Sequence, residues 1–231
     1  ATSESPAPCA ATEERIAMKG RFITIEGPDG CGKTTQTELL VKTLREQGRE
    51  VIVTREPGGT RIGEEIRSLV LSARYEEMQP LTELLLMSAS RSQHVLEKIK
   101  PALEEGKIIV CSRYTDATIA YQGYGRGFDI PLLEKVNRIA TTGVWPDLTI
   151  ILDIDVKEGL RRAFKTEKAE AKSGEGDRLE REDLGFHERV RAGYLALAEK
   201  YPQRLKVVDA AGTIAQVQAA VMREVEATFA R

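Results

Sequence analysis

Residues Gly27-Pro-Asp-Gly-Cys-Gly-Lys33-Thr34 fit the pattern G-x-x-x-x-G-K-[ST]. The setting gives the match its weight. It follows the apolar, partly β-branched run Phe22–Glu26 and opens a helical pattern near Lys33, the strand–loop–helix context that the motif requires. Glycines at 27, 30 and 32 let the backbone curl so that its N–H groups face inward onto phosphate oxygens. The helix N-terminus adds its positive end. Lys33 is placed to bridge β- and γ-phosphates, and Thr34 to ligate Mg²⁺. The nucleotide site thus comprises Gly27, Pro28, Asp29, Gly30, Cys31, Gly32, Lys33 and Thr34, with Thr35 next in line. ATP and GTP both suit such a loop.

Similar apolar runs recur at Val51–Thr54, Ile108–Cys111, Thr149–Leu152 and Leu205–Val208. Helical patterns separate them, over Lys33–Gln47, Ile62–Ser72, Leu81–Glu105, Thr115–Gln122, Ile130–Thr141, Val156–Phe164, Glu182–Lys200 and Ile214–Ala230. This alternation predicts an α/β fold, a five-stranded parallel sheet with helices on both faces. With 231 residues, 41% of them apolar, residues 20–231 suit one domain with one sizeable core. Residues 1–19 are rich in Ala, Ser, Pro and Glu and lack an apolar h-region. They read as a disordered extension rather than a secretory signal, with Met18 an alternative start.

Thr166 to Arg178 reads TEKAEAKSGEGDR, too polar to bury itself. It is either an ordinary solvated loop or a mobile lid, approximately 164–181, over the nucleotide. The formal net charge of −2 supplies no basic field for nucleic acid. No apolar run approaches the roughly 18 residues a membrane span needs. The three cysteines, at 9, 31 and 111, are too few and scattered for a disulfide framework or zinc site, and read as reduced thiols in a cytoplasm.

The group that receives the phosphate must be sought elsewhere in the chain. A GTPase would carry N-K-x-D on a later strand, and Leu152-Asp153-Ile154-Asp155 stands in that place instead. The length suits a small-molecule kinase, which must hold two polyanions together and neutralise the charge between them. Arg55 and Arg113 each follow a strand, where groups line the ligand crevice of a parallel sheet, and Arg67 lies on the helix after Arg55. Arg91 interrupts an apolar helix and so needs a buried acceptor.

Four segments taken together resemble bacterial thymidylate kinases, from about Arg21 to the C-terminus. They are Thr54-Arg-Glu-Pro-Gly-Gly-Thr60, Arg113-Tyr114 with Ala120-Tyr-Gln-Gly123, Pro146-Asp-Leu148 leading into Leu152-Asp153, and Asp177-Arg178-Leu-Glu180. The resemblance implies a P-loop kinase fold, transfer of the γ-phosphate of ATP to dTMP with Mg²⁺, and a homodimer. It matches Asp29 to the carboxylate on the 3′-hydroxyl of dTMP, Arg55, Arg67 and Arg113 to its phosphate, and Arg91 to O4 of thymine. Thr118 and Gln122 match polar positions around the base, Tyr121 the ring beside the sugar, and Glu56 a position in the nucleotide site.

Three positions depart from the family pattern. Ser112 stands where the family has an Asp tied to the Mg²⁺ shell; a serine can hydrogen-bond a metal-bound water but brings no charge. Met87 replaces an aromatic residue that stacks on thymine, and a thioether also packs on a ring face. Gly30 occupies the position of a P-loop arginine found in some members, so charge at transfer must be met from the lid side. Among Arg161, Arg162, Lys165, Lys168, Lys172 and Arg178, the residues Arg162 and Arg178 match family positions best, which adds them to Lys33 and Arg113 as catalytic candidates. Two other readings are a kinase for another monophosphate or a nucleoside, and a catalytically weak nucleotide-binding regulator; Ser112 alone favours the latter.

Overall fold

The computed structural model describes residues 19–170 and 177–230, and of residues 165–170 the backbone alone. Almost all of the expected N-terminal extension, and the centre of the expected lid with Lys172, lie outside the described residues, as do the side chains of Lys165 and Lys168.

Strands β1 (Arg21–Glu26), β2 (Val51–Arg55), β3 (Ile108–Ser112), β4 (Leu148–Asp153) and β5 (Leu205–Asp209) form one sheet in the order β2-β3-β1-β4-β5. Every pairing is parallel. Phe22, Ile23, Ile25, Ile109, Val110, Ile150 and Ile151 are all buried, because helices cover both faces of the sheet and leave the central strands no solvent side.

The helices are α1 (Lys33–Glu46), α2 (Arg61–Leu71), α3 (Pro80–His94), α4 (Lys100–Glu104), α5 (Thr115–Thr118), α6 (Ile130–Thr141), α7 (Val156–Glu170), α8 (Leu184–Lys200) and α9 (Ile214–Phe229). Several of them start at side chains that satisfy free backbone donors. Thr60 accepts from Gly63 N–H, Asp129 from Leu132, and Asp183 from Phe186. Thr213 and Gln216 form a reciprocal capping box on α9.

The long helix expected at Leu81–Glu105 is α3 and α4 joined by a π-helical turn at Val95–Ile99. A second π-helical stretch, Ile119–Gly125, continues α5. The expected helix Val156–Phe164 runs on to Glu170, so the N-terminal part of the expected lid is helical.

Candidate active site

The carboxyl ends of β1, β2 and β3 open into one cavity of about 420 Å³. The loop between β1 and α1 contributes Asp29, Gly30, Gly32, Lys33, Thr34 and Thr35; Gly27, Pro28 and Cys31 complete the loop behind them. Gly27, Gly30 and Gly32 all have positive φ, the left-handed backbone that turns the loop back on itself. Gly30 also packs against α7. A Cβ added there would lie 1.8 Å from the Gly159 carbonyl oxygen, and one added at Gly159 would lie 2.5 Å from the Asp29 carbonyl oxygen. An arginine could not occupy position 30 unless α7 moved.

The Lys33 ammonium rests on the loop's own carbonyls, 3.1 Å from Gly27 O and 2.8 Å from Pro28 O. The Asp29 carboxylate pairs with the Arg113 guanidinium and accepts from the Tyr121 hydroxyl at 2.9 Å. Burial pushes its pKa up, but Arg113, Lys33 and that hydroxyl outweigh this and hold it below the usual value. Asp29 is therefore ionised at neutral pH.

Three arginines face the same space. Arg55 ends β2 and pairs with Glu64 at 3.0 Å. Arg67 on α2 donates to Pro57 O at 3.0 Å. Arg113 follows β3, donates to Gly27 O at 3.2 Å, and lies 4.9 Å from the centre of the Tyr121 ring. All three line the cavity with Ser112, Met87, Thr118, Tyr121 and Gln122. Ser112 closes β3, and its carbonyl accepts from Glu56 N–H.

The buried acceptor expected for Arg91 is Glu56. The Arg91 Nε–H donates to Glu56 at 2.7 Å, Nη1 to Thr118 and Asn137, and Nη2 to the Tyr114 carbonyl. Glu56 also takes a hydrogen from His94 Nδ1, and Thr54 bonds Nε2 of that ring. Both Glu56 and Arg91 line the cavity, but their charges are spent first on each other.

Arg178 corrects an expectation. Its guanidinium turns away from the cavity, to the buried Glu83 carboxylate on α3 and to Val70 O. Arg126 shares that carboxylate. Its neighbours Asp177 and Glu180, quoted in the matched motif but given no role there, do line the cavity. Asp177 Oδ1 caps the turn by accepting from Leu179 and Glu180 N–H. Burial and the nearby Asp29 charge raise its pKa. Arg162 reaches the cavity from α7, bonded to Glu158 and Ala210 O.

The family model described as thymidylate kinase matches residues 25–221. The chain is 50% identical over 209 residues to the thymidylate kinase of Pelotomaculum thermopropionicum, covering 90% of this chain and 94% of that one. It is 49% identical over 211 residues to that of Geotalea uraniireducens, covering 91% and 99%. A crystal structure of thymidylate kinase from Ehrlichia chaffeensis superposes with a TM-score of 0.73 at 36% identity, covering 89% of this chain and 98% of that chain.

Proposed function

The chain belongs to the thymidylate kinase family, and on that premise we propose how its cavity carries a phosphoryl group from ATP to dTMP. The chain is an ATP:dTMP phosphotransferase, and its products are ADP and dTDP. The convergence of Arg55, Arg67 and Arg113 on the cavity that holds the P-loop carries the assignment of residues. A bare nucleoside would bring nothing for those three charges to neutralise.

The P-loop amides and Lys33 hold the triphosphate. Arg55, Arg67 and Arg113 hold the dTMP phosphate. One of its oxygens bonds to the γ-phosphorus as the bond to the β–γ bridging oxygen breaks, and ADP leaves with that electron pair. Arg113 touches both the loop and the acceptor side, so it meets the charge that builds between them. Arg162 enters from α7 on the ATP side. Arg178 supports this arrangement through Glu83 rather than by touching phosphate.

Base recognition rests on Met87, Arg91, Thr118 and Gln122. Four of the five Arg91 N–H hydrogens go to protein acceptors, and the fifth suits a carbonyl such as O4. Tyr121 and Asp29, bonded to each other, suit the sugar. Mg²⁺ also fits. Thr34, Ser112 and Asp177 bring hard oxygen donors to the cavity, and the described residues contain no cluster of three or more His, Cys, Asp or Glu to cage an ion. That suits an ion held mainly by phosphates and water. Thr34, and Ser112 through water, would hold it, and when bound it neutralises charge on the β- and γ-oxygens. Buried Cys31 and Cys111 carry free thiols, which supports a reducing cytoplasm, and apolar residues exposed on α2 and α3 support a homodimer.

The test is a coupled ADP assay with dTMP, dUMP, dCMP, dGMP and AMP. We expect dTMP to give the highest kcat/KM and dCMP to fall behind by about tenfold or more, since a donor aimed at O4 meets an amino group instead. Equal use of dCMP would remove Arg91 from base recognition.

A further inference from the structure

Among the described residues only Arg113 and Thr142 are non-glycine residues with positive φ, and Arg113, at 68°, is the one at the cavity. An L-residue does not hold that conformation unaided. Four contacts hold it here, in two pairs. From the P-loop, Gly27 O and the Asp29 carboxylate take the guanidinium. From β1, Ile25 O takes the Arg113 N–H at 3.0 Å, and Glu26 Oε1 takes the next amide, Tyr114 N–H, at 2.6 Å.

Glu26 is out of place by composition. It ends a strand whose other buried residues are apolar or, at Thr24, an uncharged hydroxyl bonded to Thr149, and it is wholly buried. Its second oxygen accepts from the Tyr194 hydroxyl of α8 at 2.9 Å, also wholly buried. Both oxygens are thus occupied, and Glu26 does not line the cavity. It can act on substrate only through what it holds. A buried carboxylate costs more than an apolar residue of similar size unless its hydrogen bonds are needed. The needed one is the bond to Tyr114 N–H, the amide that follows the strained residue.

We propose that Glu26 is a positioning residue for phosphoryl transfer: by holding the Tyr114 amide it keeps residue 113 left-handed and so aims the Arg113 guanidinium at the acceptor phosphate. This rests on the reading of Arg113 given above. Glu26 reaches across from the β1 side of the P-loop, so the strand that carries the ATP loop also sets the arginine that receives dTMP.

The experiment compares Glu26→Leu, Glu26→Gln and Glu26→Asp, each alone, with Arg113→Ala and with the double variant that combines Glu26→Leu and Arg113→Ala, in steady-state assays varying dTMP and ATP separately. Leucine fills the space without an acceptor. Glutamine keeps one. Aspartate keeps the charge but is a methylene too short to reach. Glu26→Leu should lower kcat/KM for dTMP by about tenfold, the scale on which a left-handed non-glycine residue is disfavoured. The KM for ATP should stay within about twofold, Glu26→Gln should recover most of the loss, and Glu26→Leu should cost nothing further once Arg113→Ala is in place. Should the leucine variant not fold, Glu26→Asp carries the same expectation for dTMP.

Equal damage to ATP and dTMP, no recovery with glutamine, or additive losses in the double variant would overturn the proposal. So would a normal dTMP constant in Glu26→Asp. If Arg113→Ala itself leaves dTMP kinetics unchanged, it is the reading of Arg113 that fails first.

Discussion

Glu26 also makes a prediction about stability. Burial raises its pKa from the ordinary 4.5 to about 7, with Asp116 adding to the rise and Arg113, Tyr194 and the Tyr114 amide opposing it. Between those two values the folded chain holds a proton that the unfolded chain has lost. Stability therefore falls as pH rises through that window, and the loss persists above it. Glu26→Gln removes the titrating group. Relative to the parent it should gain little at about pH 4 and up to about 3 kcal/mol at about pH 8. Denaturant melts of both proteins across that range check this, and a difference that does not grow with pH would refute it. Glu56, Glu83 and Asp29 have lowered values and pull the other way in both proteins, so the comparison isolates residue 26. Such a carboxylate is invisible to sequence reasoning, in which Glu26 is only the last residue of an apolar run. The arginines were legible because position relative to a strand end is a local property. The pairing of Arg91 with Glu56, 35 residues apart, was legible only as a need for some acceptor.

Elements behave in the same way: those specified by local pattern were legible, and those specified by distant partners were not. Each strand was found within a residue or two, because a sheet covered on both faces demands unbroken apolar runs. The π-helical turns at Val95–Ile99 and Ile119–Gly125 were missed, since the apolar period read along the sequence carries no mark of them. Arg178 was misplaced for a related reason. It sits in a motif beside the cavity, but buried Glu83, at the first turn of α3, draws both Arg178 and Arg126 to itself. The glycine contact between the P-loop and α7 is another distant constraint, and it can be tested. Gly159→Ala places a methyl group 2.5 Å from the Asp29 carbonyl oxygen. That atom is backbone and cannot swing aside, so α7 must shift and carry Arg162 with it. We expect kcat/KM for ATP to fall by about tenfold or more, since small displacements at a transfer site are costly, with binding of dTMP less affected. Unchanged ATP kinetics would show that α7 stands clear of the loop.

At the scale of the whole molecule, the faces of α2 and α3 divide the labour. Arg67, Met87 and Arg91 turn to the cavity. On the other side, Leu81 and Leu85, one helical turn apart, are 53% and 56% exposed, and Ile62 and Leu69 are exposed on α2. The two helices pack on each other, so these residues can form one apolar patch, of a kind that soluble chains keep for association. The exposure of these leucines favours an interface over a place in the core. A second copy laid across this face would also brace the two helices that carry Arg67 and Arg91, and so tie association to the substrate site. Replacing Leu81 and Leu85 together by Glu places charge on that patch without touching any cavity residue. The parent should sediment with the mass of two chains at micromolar concentration and the double variant with that of one. The variant should also lose affinity for dTMP before it loses affinity for ATP, because α2 and α3 serve the acceptor side while the P-loop is held by β1, α1 and α7. A parent that sediments as one chain, or a variant that stays paired, would place the interface elsewhere. A monomer with normal dTMP affinity would show that the patch associates without supporting the site.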